Sequence, residues 1–168
     1  MANEHTAWIA LGSNLGDRTQ NIACALDRLS AAPGVNVLRV STLHETRALI
    51  LPGATAQPAY MNAVAAVGAT LSPRSLLRAL LAVEVDMGRQ REAGVRWSAR
   101  VIDLDLLLYE EVVLHEPGLV VPHPHMHARE FVLAPLAELA PTLTHPALGL
   151  TVEAMLAAVA GRDALAAK

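Results

Sequence analysis

Arg96-Trp97-Ser98-Ala99-Arg100-Val101-Ile102-Asp103-Leu104-Asp105-Leu106-Leu107-Leu108-Tyr109 is the stretch on which the rest of the chain turns. From Val101 onward it is rich in branched apolar residues and reads as a strand. Side chains alternate faces along a strand, so Ile102, Leu104, Leu106 and Leu108 are expected on one face, toward a core. Asp103 and Asp105 then share the other face, with Cα atoms roughly 7 Å apart at ~3.4 Å rise per residue. Two carboxylates that close repel each other, and Asp is disfavoured in strands. A divalent metal removes the repulsion, and two metals about 3.5–4 Å apart fit the same pair of side chains. Arg96 and Arg100 supply the opposite charge just upstream. Carboxylates for metal beside guanidiniums for phosphate form the constellation of a phosphoryl-transfer site. The plainer reading of an Asp-x-Asp is the solvated face of a half-exposed sheet, and the pair alone does not separate the two.

At 168 residues the chain is sized for one domain, residues 1–168, with a real core. Its net charge of −3, from 13 basic and 16 acidic residues, gives no support for general nucleic-acid binding, which shows as a basic excess. The single cysteine, Cys24, excludes an internal disulfide framework and a cysteine-based zinc site, and fits a reducing compartment. Lying in an apolar helical pattern, it reads as a buried structural thiol. There is no secretory-signal pattern, and no apolar run approaches ~18 residues, so a cytoplasmic protein without membrane contact is expected.

Outward from the Asp-bearing strand, the elements follow from punctuation. Residues 7–11 are an apolar run ending at Gly12 and read as a buried first strand; residues 12–17 are turn chemistry, with Asp17 placed to cap a helix. That helix carries Ile22, Leu26 and Leu29 at helical spacing and stops before Pro33-Gly34. Residues 35–41 alternate as a second strand, whose far limit is Glu45. A long loop spans residues 46–58, and residues 59–69 read as a third strand. Ser72-Pro73 opens a second helix, with Ser as cap and Pro in the first turn; Gly88 closes it. Residues 88–99 form a second, strongly basic loop. After the Asp strand, Glu110-Glu111 turns the chain into residues 112–114, residues 118–121 form a short edge strand, and helices are expected over 128–140 and 151–160. The order β-α-β-β-α-β, with a strand and helices appended, predicts an α+β fold. It is a ferredoxin-like α/β sandwich with a central, mainly antiparallel sheet and long active-site loops.

Neither a P-loop, a Rossmann fingerprint nor a kinase signature is present. A nucleotide must therefore be held by side chains, and Arg89, Arg91, Arg96 and Arg100 offer guanidinium forks that match phosphate oxygens. Aromatics make up 3% of the chain, so each one raises a question. Tyr60 and Asn62 share a strand face, Trp97 lies in the basic loop, and Phe131 opens a helix. Two such rings can sandwich a flat heterocycle while an amide reads its edge; singly, each is ordinary core. His123, His125 and His127 alternate, but two prolines interrupt them and no Cys partners exist. The hard oxygen pair Asp103/Asp105 suits magnesium, and His123 suits a phosphate or ribose hydrogen bond.

Together these pieces resemble the 6-hydroxymethyl-7,8-dihydropterin pyrophosphokinase (HPPK) family over roughly residues 7–145. The carrying motifs are Gly12-Ser13-Asn14-Leu15-Gly16-Asp17, Gln57-Pro58 with Tyr60-x-Asn62, Gly88-Arg89-x-Arg91, the stretch from Arg96 to Asp105, and Val121-Pro122-His123-Pro124 with Arg129 and Phe131. The resemblance implies transfer of the pyrophosphoryl group of ATP to the hydroxymethyl oxygen of the dihydropterin, release of AMP, and two magnesium ions per site. It implies Asp103 and Asp105 as metal ligands. Thr46, Gly53, Tyr60, Asn62, Trp97 and Phe131 fall on the pterin side. Arg89 and Arg100 hold phosphate and assist transfer, and Glu84, Arg91, His123 and Arg129 join them on the ATP side. ATP and the pterin are then the partners, and a monomer is expected. Two departures stand out: Ser98-Ala99 where the family often has Gly-Pro, and a loop after Thr46 about three residues longer than in the best-known members. Two further readings remain at this point. One is a two-metal transferase with another acceptor, which does not need Tyr60, Asn62 and Phe131 together. The other is a non-enzymatic ferredoxin-like module, which needs exposed strand aromatics or a basic face.

Overall fold

Strand β1 (His5–Ser13) is apolar on both sides, and that fixes the architecture. Ala7, Ile9 and Leu11 face one core, while Trp8 faces a second, and all four are buried. A strand buried on both faces needs helices above and below it. The computed structural model describes residues 3–47, 58–88 and 100–166, with side chains as far as residue 161. Gly53, Arg89, Arg91, Arg96 and Trp97 lie outside the described residues.

The remaining elements are α1 (Arg18–Ala31), β2 (Val35–Val40), β3 (His44–Thr46), β4 (Tyr60–Ala69), α2 (Pro73–Asp86), β5 (Asp103–Tyr109), β6 (Leu114–Glu116), β7 (Leu119–Val121), α3 (Glu130–Leu139) and α4 (Val152–Ala166). The main sheet runs β2-β4-β1-β5, with β3 pairing β4 beyond β2, and its ladders are antiparallel. This is the α+β sandwich expected, with β6 and β7 set apart as a two-stranded ribbon.

Helices α1 and α2 cover one face. The Asp17 carboxylate accepts from the Gln20 amide at 3.0 Å, and the Ser72 hydroxyl accepts from the Ser75 amide at 3.3 Å, so both helices start on the capping residues the sequence points to. Between α1 and β2, Gly34 turns with φ +77, where a Cβ would stand 2.7 Å from Thr70 Oγ1; only glycine fits there. Helices α3 and α4 cover the other face, packing Val132, Leu133, Leu136, Val152 and Met155 against Trp8, Val64, Ala66, Leu107 and Leu108. Cys24 is half-buried on the flank of α1 rather than buried, and Arg28 Nε lies 3.5 Å from its sulfur.

Two local departures from strict alternation shape the sheet. Between β1 and β5 the register jumps from Trp8↔Leu108 to Ile9↔Leu106, so Leu107 is an extra residue. Leu106 therefore stays with Ile102 and Leu104 in the first core, while Leu107 and Leu108 both enter the second. The expectation that Leu108 shares a face with Leu104 fails because a bulge resets the alternation. Strand β2 also ends at Val40 instead of continuing to Glu45. Ser41 takes over the ladder: its amide donates to the Val64 carbonyl at 2.9 Å, and its hydroxyl accepts from the Val64 amide at 3.0 Å. A side chain thus replaces a backbone carbonyl, and the chain re-enters the sheet as β3.

Ser41→Ala should leave the amide of fully buried Val64 without its acceptor and destabilise the protein by about 1–3 kcal/mol. Urea unfolding checks this; an unchanged midpoint would show that another acceptor reaches Val64.

Candidate active site

The site is a row across the sheet, read off its register. His44 faces Asn62, Asn62 faces Gly12, and Gly12 faces Asp103. One step along, Ala10 faces Asp105. Residues opposite one another in a ladder share a face, so the Asp pair, Asn62 and Tyr60 lie on one face with Thr46. Gly12 forms the floor between the amide and the carboxylates. A Cβ there would sit 3.4 Å from Asn62 Oδ1 and 3.7 Å from the Tyr60 ring. Asn62, only 6% exposed, is turned by Thr46, whose hydroxyl accepts from Nδ2 at 2.7 Å.

At the carboxylate end, Arg100 Nη1 donates to Asp103 Oδ1 at 2.7 Å, and both side chains are 28% exposed. Arg100 is itself anchored: its amide donates to Asn14 Oδ1 at 2.7 Å, and its carbonyl accepts from the Asn14 amide at 3.1 Å. Asn14 is 1% exposed; its turn chemistry and its place in the Gly12–Asp17 motif are legible in the sequence, but its hold on Arg100 is not. Glu84, on α2, lies under the strand at 1% exposure, and its Oε1 accepts from the Leu104 amide at 2.8 Å. It grips the backbone midway between the two aspartates.

His123 follows β7, and its amide donates to the carbonyl of Leu107, the bulge residue, at 2.8 Å. Nδ1 accepts from the His125 amide at 3.2 Å, which assigns the ring proton to Nε2. Nε2 stands 3.9 Å from Asp105 Oδ2, beyond hydrogen-bond reach. Burial, with the Arg129 and His125 charges adding to it, lowers the His123 pKa to about 4. His123 is therefore neutral at physiological pH, and its 3.9 Å approach to Asp105 is not an ion pair. Burial pushes the Tyr60 phenol up, with Asp103 adding to the shift and Arg100 opposing it. Arg129 stands at the entry of α3, its guanidinium carbon 5.8 Å from the Phe131 ring centroid. Phe131 packs at the margin of the second core.

Asp103 and Asp105 offer hard oxygen donors on one half-exposed face opposite a glycine and an alanine. Among the described residues, no group of three or more His, Cys, Asp or Glu could hold a metal. A two-carboxylate set of this kind suits magnesium, which keeps water and substrate phosphates as its other ligands.

With this geometry in place, the relatives of the chain become informative. The family described as "7,8-dihydro-6-hydroxymethylpterin-pyrophosphokinase (HPPK)" matches residues 8–141. The chain belongs to this family. It is similar to the 2-amino-4-hydroxy-6-hydroxymethyldihydropteridine pyrophosphokinase of Pseudomonas aeruginosa, 45% identical over 83% of this chain and 83% of that one. It is also 40% identical to the folic acid synthesis protein fol1 of Schizosaccharomyces pombe, over 83% of this chain but 18% of that much longer protein. Among solved structures, wild-type Plasmodium falciparum HPPK-DHPS with SDX-DHP superposes with a TM-score of 0.75 at 14% identity, over 95% of this chain and 45% of that one. That likeness confirms the fold. The protein is thus an enzyme, a pyrophosphokinase, and the non-enzymatic reading falls away.

The folded-state pKa of His123 lies below its ordinary value of 6.5, so as pH falls the unfolded chain takes up the proton first. Its contribution to stability is full above pH 6.5 and is lost as pH falls from 6.5 to about 4. An NMR titration of the metal-free protein should place the His123 midpoint near the lower bound, and His123→Asn should flatten the stability slope across that window. A midpoint near 6.5 would overturn the burial argument.

Proposed function

We propose that the chain transfers the pyrophosphoryl group of ATP to the hydroxymethyl oxygen of 6-hydroxymethyl-7,8-dihydropterin, in folate biosynthesis. The substrate oxygen forms a bond to the β-phosphorus, the bond from that phosphorus to the α,β-bridging oxygen breaks, AMP leaves with the bridging oxygen, and the hydroxyl proton is released. The observation that carries the reading is the row Asn62–Gly12–Asp103. Two strand spacings, about 10 Å, separate the amide from the carboxylate. That gap holds a flat two-ring heterocycle with its edge on Asn62 and its substituent toward the Asp pair.

The roles follow from the charges. Asn62 hydrogen-bonds the pterin edge, Thr46 holds its amide in orientation, and Tyr60 and Phe131 line the ring. Asp103 and Asp105 would hold two magnesium ions, which supply charge neutralisation on the phosphates and acidify the attacking hydroxyl when bound. Arg100 is permanently charged and bears on the transferred group, where a loose transition state spreads charge over the phosphoryl oxygens. Neutral His123 directs Nε2–H at an ATP oxygen, and Arg129 adds charge beside it. Glu84 serves the ATP side from beneath, through the Leu104 amide. Arg89, Arg91, Gly53 and Trp97 complete the assignment by family likeness. A single catalytic domain over residues 1–168, monomeric and cytoplasmic, belongs to the same reading. Among the described residues no helix is long and apolar enough to cross a membrane.

Asp103→Ala and Asp105→Ala should each lower turnover at least about a thousandfold, roughly 4 kcal/mol of transition-state stabilisation, with far-UV circular dichroism unchanged. Arg100→Ala should act mainly on kcat. Calorimetry with a non-hydrolysable ATP analogue, with and without magnesium and pterin, reads binding directly. Turnover within tenfold of wild type in the Asp103→Ala/Asp105→Ala double variant would end the metal reading.

A further inference from the structure

Strand β3 is three residues long, yet it delivers Thr46, which sets the orientation of the Asn62 amide. So short a strand has few ladder bonds of its own to resist displacement. Its side chains alternate: His44 and Thr46 face the α3 layer, and Glu45 faces the α1 layer. Each layer meets it with a complementary group.

From below comes Arg18, the first residue of α1. Its Nη2 donates to Glu45 Oε2 at 2.6 Å, and its Nη1 donates to the Ala59 carbonyl at 2.8 Å. One guanidinium therefore joins the residue before Thr46 to the residue before Tyr60. From above comes Glu138, in the last turn of α3. Its carboxylate accepts from the Thr42 amide at 2.9 Å and from the Thr42 hydroxyl at 2.8 Å, and it pairs with His44 Nε2. The Thr42 hydrogen bonds hold the Glu138 carboxyl below its usual range, so it is ionised at neutral pH.

We propose that Arg18 and Glu138 are positioning residues for the pterin side of the site, gripping β3 from opposite faces of the sheet. Neither touches the pterin. The grip fixes β3, and β3 meets the Nδ2 group of Asn62 with two acceptors, the Thr46 hydroxyl at 2.7 Å and the His44 carbonyl at 3.5 Å, which leaves Oδ1 turned toward Gly12 and the pocket. Arg18 acts at the same time on Tyr60 through Ala59. The consequence is selective. Loss of either hold loosens the pterin end of the row, while the phosphate end, anchored through Asn14, Glu84 and Arg100, keeps its geometry. The inference rests on the reading of Thr46, Tyr60 and Asn62 as the pterin pocket.

The test uses the full chain with Arg18→Met, Arg18→Lys, Glu45→Gln and Glu138→Gln. Calorimetry measures the Kd of 6-hydroxymethylpterin in the presence of magnesium and a non-hydrolysable ATP analogue, and separately the Kd of that analogue. Arg18→Met and Glu138→Gln should each weaken pterin binding by about five- to tenfold and leave the analogue within about twofold. Arg18→Lys, which keeps the charge but not the fork, should fall between. The Asn62 side-chain amide resonances should shift in Arg18→Met, a readout that a general loss of stability does not produce. Glu45→Gln carries the test if Arg18→Met fails to fold. Pterin affinity unchanged in the variants, or both ligands weakened in parallel with a lower Tm, overturns the grip alone. A wild-type chain that binds the ATP analogue but no pterin overturns the pocket reading, and this inference with it.

Discussion

Strand β5 has to meet two demands that conflict in an ideal strand, and the bulge at Leu107 reconciles them. It lies at the end of the order β2-β4-β1-β5 and packs apolar residues toward helices on both faces, yet it must also turn two carboxylates to a single face. Strict alternation would put Leu107 beside the aspartates and Leu108 with Leu104. The extra residue instead gives Leu104 and Leu106 to the α1/α2 core and both Leu107 and Leu108 to the α3/α4 core. It leaves the aspartates at the open end of the strand. The bulge also frees the Leu107 carbonyl from the β1 ladder, and that carbonyl receives the His123 amide. One irregularity thus packs the sheet and brings a histidine beside Asp105.

The carboxylates themselves are tolerable because their surroundings are arranged before any ligand arrives. Arg100 neutralises part of the charge on Asp103, Asn14 holds Arg100 by its backbone, and Glu84 holds the Leu104 amide from below. Each of these holds is a hydrogen bond to a charged or buried group, the class that contributes most and costs most to break. Catalysis by positioning needs this kind of rigidity, since phosphoryl transfer asks little covalent chemistry of the protein.

Much of this was legible in the sequence because the decisive signals are local. Asp17 and Ser72 mark helix starts, Pro33-Gly34 and Gly88 mark stops, and Asp103-Leu104-Asp105 declares its shared face by period alone. The bulge was not legible, because consecutive leucines carry no mark of which one is extra. Nor was the split between β2 and β3, since it depends on a serine hydroxyl meeting Val64 from a distant strand. Cys24 looked buried because the helical pattern around it is apolar, but it lies on the flank of the stripe rather than at its centre. By period alone Glu84 reads as an ordinary acid in an amphipathic helix; the family resemblance put it on the ATP side, and only the fold shows its hold on the Leu104 amide. Arg18, Glu45 and Glu138 look like solvated charges for the same reason: Thr42 and Glu138 are 96 residues apart.

Residues 12–18 have a consequence for how the row keeps its register. Within this one turn, Asn14 fastens Arg100 and Arg18 fastens Ala59, the exits of the two long connections. With Ala59 and Arg100 both tied to residues 12–18, the register of the row is held from its own end of β1, and its upkeep does not pass through the chain that joins those residues in sequence.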